Sequence, residues 1–166
     1  MPNIGGLTKA GVPTTGVAQV ETAQLVGTIT LAGTAELTVT SALVVGSPLV
    51  VNVDVALNDT ATLWAVKAAA ALNATAAVAA HYVASSSVAN VILTAIKSAA
   101  NDATLNIAYT NGTCTGITPD SSSENTTAGV KGDYRGADYG VMVADTTNSN
   151  LYFNTGSIHV PVWTLL

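Results

Sequence analysis

Charge is what this sequence has least of: Asp, Glu, Lys and Arg make up 9% of its 166 residues, against about 25% in ordinary soluble domains. Five cations, Lys9, Lys67, Lys97, Lys131 and Arg135, are scattered along the chain and leave a net charge of −5. They form no basic stripe that could neutralise phosphates, which argues against a nucleic-acid partner. Cys114 stands alone, so an internal disulfide and any multi-cysteine metal site are excluded. The two histidines, His81 and His159, fall in no ligand spacing. Long apolar runs are missing too. The stretch from Ala65 to Leu72 is interrupted by Lys67 and falls well short of the roughly 20 residues that span a bilayer, so no membrane partner is expected. Met1-Pro-Asn-Ile-Gly-Gly lacks a basic segment followed by an apolar one, so synthesis in a cytosol without a secretory leader is expected.

Thr, Ser and Asn supply the polarity instead, beside a hydrophobic fraction of 49%. Such a surface carries little electrostatic repulsion and favours association within a defined assembly. Four Asn-x-Thr sequons, at Asn58, Asn73, Asn111 and Asn125, are read as chance in so Thr-rich and Asn-rich a chain.

Residues 1–24 contain Gly5-Gly6, Gly11, Pro13 and Gly16 among scattered apolar residues, Ile4, Leu7, Val12 and Val17, without a sustained period. This reads as an extended arm laid on a neighbouring subunit. From residue 25 to 128 the pattern is that of a folded domain. Ile29 and Leu31, then Leu37 and Val39, alternate with small residues; after the turn signal Gly46-Ser-Pro48, Val51, Val53 and Val55 alternate with Asn52 and Asp54. Asn58 or Asp59 is placed to cap a helix starting near Thr60, with Leu63, Val66, Ala70 and Leu72 at helical spacing on its core face. Trp64 is assigned first to the core, with an oligomer contact as the alternative.

Strands are expected at 81–84 and 90–96, broken by Ser85-Ser-Ser87. Asn111-Gly112 between alternating runs predicts a two-residue type I′ hairpin pairing Thr110 with Thr113 and Tyr109 with Cys114. That register puts Cys114 on the apolar side, inert toward thiol reagents. Residues 119–129 read as a polar linker. Beyond it come a strand at Val141 and Val143, a turn at 145–149, a return strand at 151–153, and a last strand at 160–165 that Pro161 assigns to a sheet edge.

No catalytic constellation is legible: there is no G-x-S-x-G elbow, no phosphate-binding loop, and no paired acid and base. Asp133, Asp138 and Asp145 lack a calcium-loop arrangement and read as solvated loop carboxylates, with a structural cation as the minority view. Lys67 and Lys97 are read as ordinary surface lysines, an isopeptide crosslink to an Asn being the alternative. Neither cofactor nor metal is expected, and the chain is read as non-enzymatic.

The run Asp145-Thr-Thr-Asn-Ser-Asn-Leu-Tyr-Phe-Asn-Thr-Gly156 followed by Pro161-Val-Trp163 resembles a segment that closes many phage head-fibre, head-decoration and tail-fibre proteins. The central stretches Gly33-Thr-Ala-Glu-Leu-Thr-Val-Thr, Gly46-Ser-Pro, Asn58-Asp-Thr-Ala and 101–116 are similar to a domain recurring in the same virion proteins. The resemblance implies a structural role and brings no catalytic residues. It implies the major capsid protein or other virion proteins as partners, a homo-oligomer with a trimer favoured, and a place on the outer capsid surface. A head or tail fibre subunit contacting the host and a tail-tube or tail-tip subunit stay open.

The expected fold is therefore α+β and mostly β: an antiparallel sheet packed by one main helix over 25–128, an arm over 1–24 and a C-terminal β-hairpin module over 129–166. The expected assembly interface consists of Ile4, Leu7, Val12, Val17, Tyr152, Trp163 and Leu165.

Overall fold

Alternation of small polar with β-branched residues makes most of this chain strand, and the one long run without alternation makes its main helix. The computed structural model describes residues 7–166. In chain order the elements are β1 (Leu7–Lys9), β2 (Val20–Gln24), β3 (Gly27–Leu31), β4 (Gly33–Thr40) and β5 (Leu49–Val55). Then come α1 (Ala61–Ala74), α2 (Ala76–Ala79), β6 (Tyr82–Ser87), β7 (Asn90–Ala95), β8 (Asn106–Thr110) and β9 (Thr115–Ile117). The series ends with β10 (Glu124–Thr127), β11 (Met142–Asp145), β12 (Asn150–Asn154) and β13 (Trp163–Leu165). The fold is mostly β with four sheets and one main helix, as composition and pattern indicated. No described helix is long and apolar enough to cross a membrane.

The described residues divide into two compact units, one of residues 19–96 with 102–128 and one of residues 7–18, 97–101 and 129–166. The larger unit holds the sheets β10-β2-β7-β6, β5-β4-β8 and β3-β9. Ala35, Leu37 and Val39 of β4 face inward beside Val51, Val53 and Val55 of β5, so one face of that hairpin enters the core while Thr38, Asn52 and Asp54 face out. The Thr60 side chain accepts the Leu63 N–H and caps α1. Asp59 instead takes the Ala56 N–H and pairs with Lys67 at 2.5 Å.

The helix buries Trp64, Ala65, Ala68, Ala69 and Leu72, leaving Leu63, Val66 and Ala70 exposed, so the expected core face is corrected by nearly half a turn and Leu72 alone of the expected residues is buried. Almost every position of α1 is apolar, and a period cannot select a face when both faces carry it. Burying Trp64 removes the largest apolar area on the helix, and its ring meets Tyr109 edge to face at 5.5 Å.

Four other expectations are corrected. Ser85, Ser86 and Ser87 continue β6, and the chain reverses at Val88-Ala89, where Val88 holds φ +52°. Residues 20–24, assigned to the arm, form β2 at the centre of a sheet, and residues 124–127, assigned to a linker, pair along its edge as β10. The Asn-Gly hairpin does not form. Of the pair Gly112 takes positive φ, +58°, whereas type I′ needs it at both positions. The Asn111 side chain is bound to both backbone groups of Ile117, and Thr113 N–H donates to Thr34 O, which sends β9 to pair with β3. Cys114 is nevertheless buried.

The smaller unit carries the sheet β1-β11-β12-β13, antiparallel except for β1, which runs parallel to β11. Its core is Val143, Tyr152 and Trp163, with Leu7, Tyr134 and Ala137 packed against it. Pro161 precedes β13, the edge strand.

Candidate functional site

Of the seven residues expected at an assembly interface, Ile4 lies outside the described residues. The structure brings Leu7, Tyr152 and Trp163 together, but inside the smaller unit: Tyr152 and Trp163 are 7% and 8% exposed. They form a core because Val143, Tyr152 and Trp163 pack together on one side of the short sheet, where Leu7, Tyr134 and Ala137 close over them. Val17 is half-buried and bridges to Val130, while Val12 and Leu165 are exposed.

What pattern reading missed is how the described part of the supposed arm is held. Lys9 pairs with Asp133, whose carboxylate also accepts the Thr14 N–H at 2.6 Å. The Asp145 carboxylate, 1% exposed, accepts from Gly11 N–H, Thr147 N–H, Asn148 N–H and the Asn148 side chain. Tyr134 donates its hydroxyl to Thr8 O. Asp133 and Asp145 are therefore clasp groups, while Asp138 offers its backbone carbonyl to Asn154.

Asn154, fully buried, donates to Ala137 O and Asp138 O and accepts from Gly156 N–H and Val162 N–H. All its hydrogen-bonding capacity is used. A Cβ on Gly156 would lie 2.3 Å from Val160 O, so that position tolerates glycine alone. The Asp, Asn and Gly of the terminal motif thus fix turns and strand ends. Short polar residues at the ends of apolar strands were the available signal.

With Val143, Tyr152 and Trp163 turned inward, the sheet shows its other face to solvent. Strand alternation puts Met142 opposite Phe153 and Ala144 opposite Leu151 on that face. Met142 and Leu151 are exposed, Ala144 and Phe153 half-buried, and the exposed Leu166 donates its N–H to Leu151 O at the sheet margin. None of these side chains is charged. That face therefore offers apolar, uncharged side chains to solvent on a chain that is already short of charge.

The larger unit offers a different surface, a groove of about 430 Å³ lined by Thr22, Gln24, Asn90, Asp120, Ser122, Ser123, Glu124 and Thr126. Its walls are hydroxyls, amides and two carboxylates, the chemistry that exchanges hydrogen bonds with vicinal hydroxyl groups and repels anions. Deeper in the same unit, Asp102 accepts from the Thr104 N–H and hydroxyl, the Ser41 hydroxyl and the Ala42 N–H. Burial pushes its carboxyl up, and these donors outweigh burial and hold it below its ordinary value.

No family model, curated protein or solved structure matches the chain.

Proposed function

We propose that the chain is a non-enzymatic structural protein of a phage particle, a capsid decoration protein that binds the outer lattice in many copies and stabilises it. The single observation that carries this reading is the uncharged outer face of Met142, Ala144, Leu151 and Phe153, on a sheet whose Tyr152 and Trp163 are committed to its own core. The resemblance of the terminal segment to phage fibre and decoration proteins supplies the context. Repetition over a symmetric lattice makes individually weak apolar contacts durable.

Purified particles containing the chain test this. Densitometry should give a copy number commensurate with the capsid lattice, and Met142→Glu combined with Leu151→Glu should abolish binding to capsids while leaving unfolding of the free protein unchanged. Few copies per particle, or retention with tails after heads are removed, overturns the decoration role in favour of a fibre or tail subunit.

A second reading, a head-fibre or tail-fibre subunit that contacts the host, is favoured by the polar groove, which suits a neutral polyhydroxylated ligand such as a surface glycan. Saturation-transfer NMR with neutral oligosaccharides separates the two readings, since decoration requires no glycan contact.

A further inference from the structure

Glu21 sits on β2, a strand flanked on both sides in its sheet, and is 2% exposed. One carboxyl oxygen, Oε1, accepts the Ser123 hydroxyl at 2.5 Å; the other, Oε2, is buried with no hydrogen-bond partner. Neither ion pair among the described residues includes Glu21. A carboxylate in that position would have one donor for two charged oxygens, whereas the neutral acid leaves a single hydroxyl unsatisfied.

Ser123 joins this buried acid to the sheet edge. Its N–H donates to the Asn106 side chain at 2.9 Å, its hydroxyl accepts the Ile107 N–H at 2.8 Å, and the next residue begins β10. β10 itself is weakly held: all four residues are exposed and its register with β2 shifts between Asn125 and Thr127. Ser123 also lines the polar groove, so displacing it would admit water to Glu21 from that side.

We propose that Glu21 is the latch of a pH-sensitive edge: as the neutral acid it anchors Ser123 and keeps β10 on β2, and on ionising it draws in water and releases residues 120–127 from that edge. The titratable groups on the surrounding elements are Asp102, Tyr82 of β6, Tyr109 of β8, Asp120 of the segment before β10 and Glu124 of β10; β7 contributes none. The charge of Asp102 acts on Glu21 with the sign that opposes ionisation, and burial acts the same way more strongly, while Ser123 opposes both. The latch therefore opens above 4.5, the ordinary value for the side chain.

Hydrogen exchange of the whole protein, corrected for the intrinsic pH dependence of exchange, reads this directly. As pH rises above 4.5, amides of 19–24 and 120–127 should lose protection by about tenfold for each pH unit over which Glu21 stays protonated beyond its ordinary value. Those of β4 and β5 should hold. Glu21→Gln, an isostere that cannot ionise, should abolish the loss. Protection independent of pH in the native chain, or an equal loss in the Gln variant, overturns the proposal. Should that variant not fold, carboxyl-labelled NMR of the native chain decides: Glu21 titrating at or below its ordinary value overturns the latch, and titration above it in step with the 120–127 amides supports it.

Discussion

The Asp145 carboxylate accepts the Gly11 N–H at 2.9 Å across 134 positions of sequence, and with it the described part of the N-terminal segment becomes a strand of its own C-terminal module. Burial alone would raise this carboxyl. The bonds from Asn148, Thr147 and Gly11 outweigh burial and hold it below the ordinary value of 3.8. Asp133 behaves likewise, with burial opposed by Lys9 and Thr14.

A folded-state value below the unfolded one stabilises fully above 3.8 and is lost as pH falls through the lowered value. The attachment of residues 7–14 should therefore weaken on acidification below 3.8 and stay constant above it. Asp145→Ala should detach the segment at neutral pH, which trypsin cleavage after Lys9 reports. The clasp has no such role if the native chain and the variant are cut at equal rates.

The two faces of α1 make opposite predictions for similar side chains. Leu72 is fully buried, and Leu72→Ala should cost about 2–5 kcal/mol of stability. Leu63 is 47% exposed, and Leu63→Ala should stay within about 0.5 kcal/mol. Urea unfolding of the two variants measures both. Equal costs would reverse the assignment of the buried face.

This helix also shows where the sequence was legible and where it was not. Its existence, its start near Thr60 and the burial of Trp64 follow from composition and spacing, as does the mostly β fold around it, whereas the cap expected from Asn58 or Asp59 is supplied by Thr60. Its face does not, because apolar residues surround the axis and the choice falls to whichever packing buries Trp64. β2 and β10 were unreadable for a related reason. In Val-Glu-Thr-Ala-Gln and Glu-Asn-Thr-Thr the side chains are polar or small, and pairing with β7 and with each other makes them strands. Hydroxyl pairs such as Thr22 with Thr126, Thr30 with Thr115 and Thr155 with Thr164 hold neighbouring strands where other proteins place ions. At the candidate interface, the aromatic residues were legible as important, but the sequence could not show that a three-residue strand from the N-terminus completes their core.

The Trp64 indole N–H is buried without a partner although the ring is fully enclosed. Trp64→Phe removes that orphan donor while keeping an aromatic ring beside Tyr109, and Trp64→Ala removes both. The alanine variant should lose about 3–5 kcal/mol, and phenylalanine distinctly less, because the relieved donor offsets part of the cavity. Denaturant unfolding followed by far-UV circular dichroism compares them. Equal losses would overturn this account, since the retained ring and the relieved donor should both spare the phenylalanine variant.

Cys114 is 2% exposed and its thiol donates to Asn111 O at 2.8 Å. Burial raises the thiol, and the nucleophilic thiolate is correspondingly scarce. Two barriers, access and ionisation, thus oppose reaction, and opening of the loop that carries Asn111 removes both. Labelling by a small disulfide reagent should therefore be slow in native protein and immediate in denaturant. It should also accelerate in Asn111→Ala, whose side chain no longer holds the Ile117 backbone. Fast labelling of the native chain would place the thiol at the surface and undo the β8-to-β9 path that turns it inward.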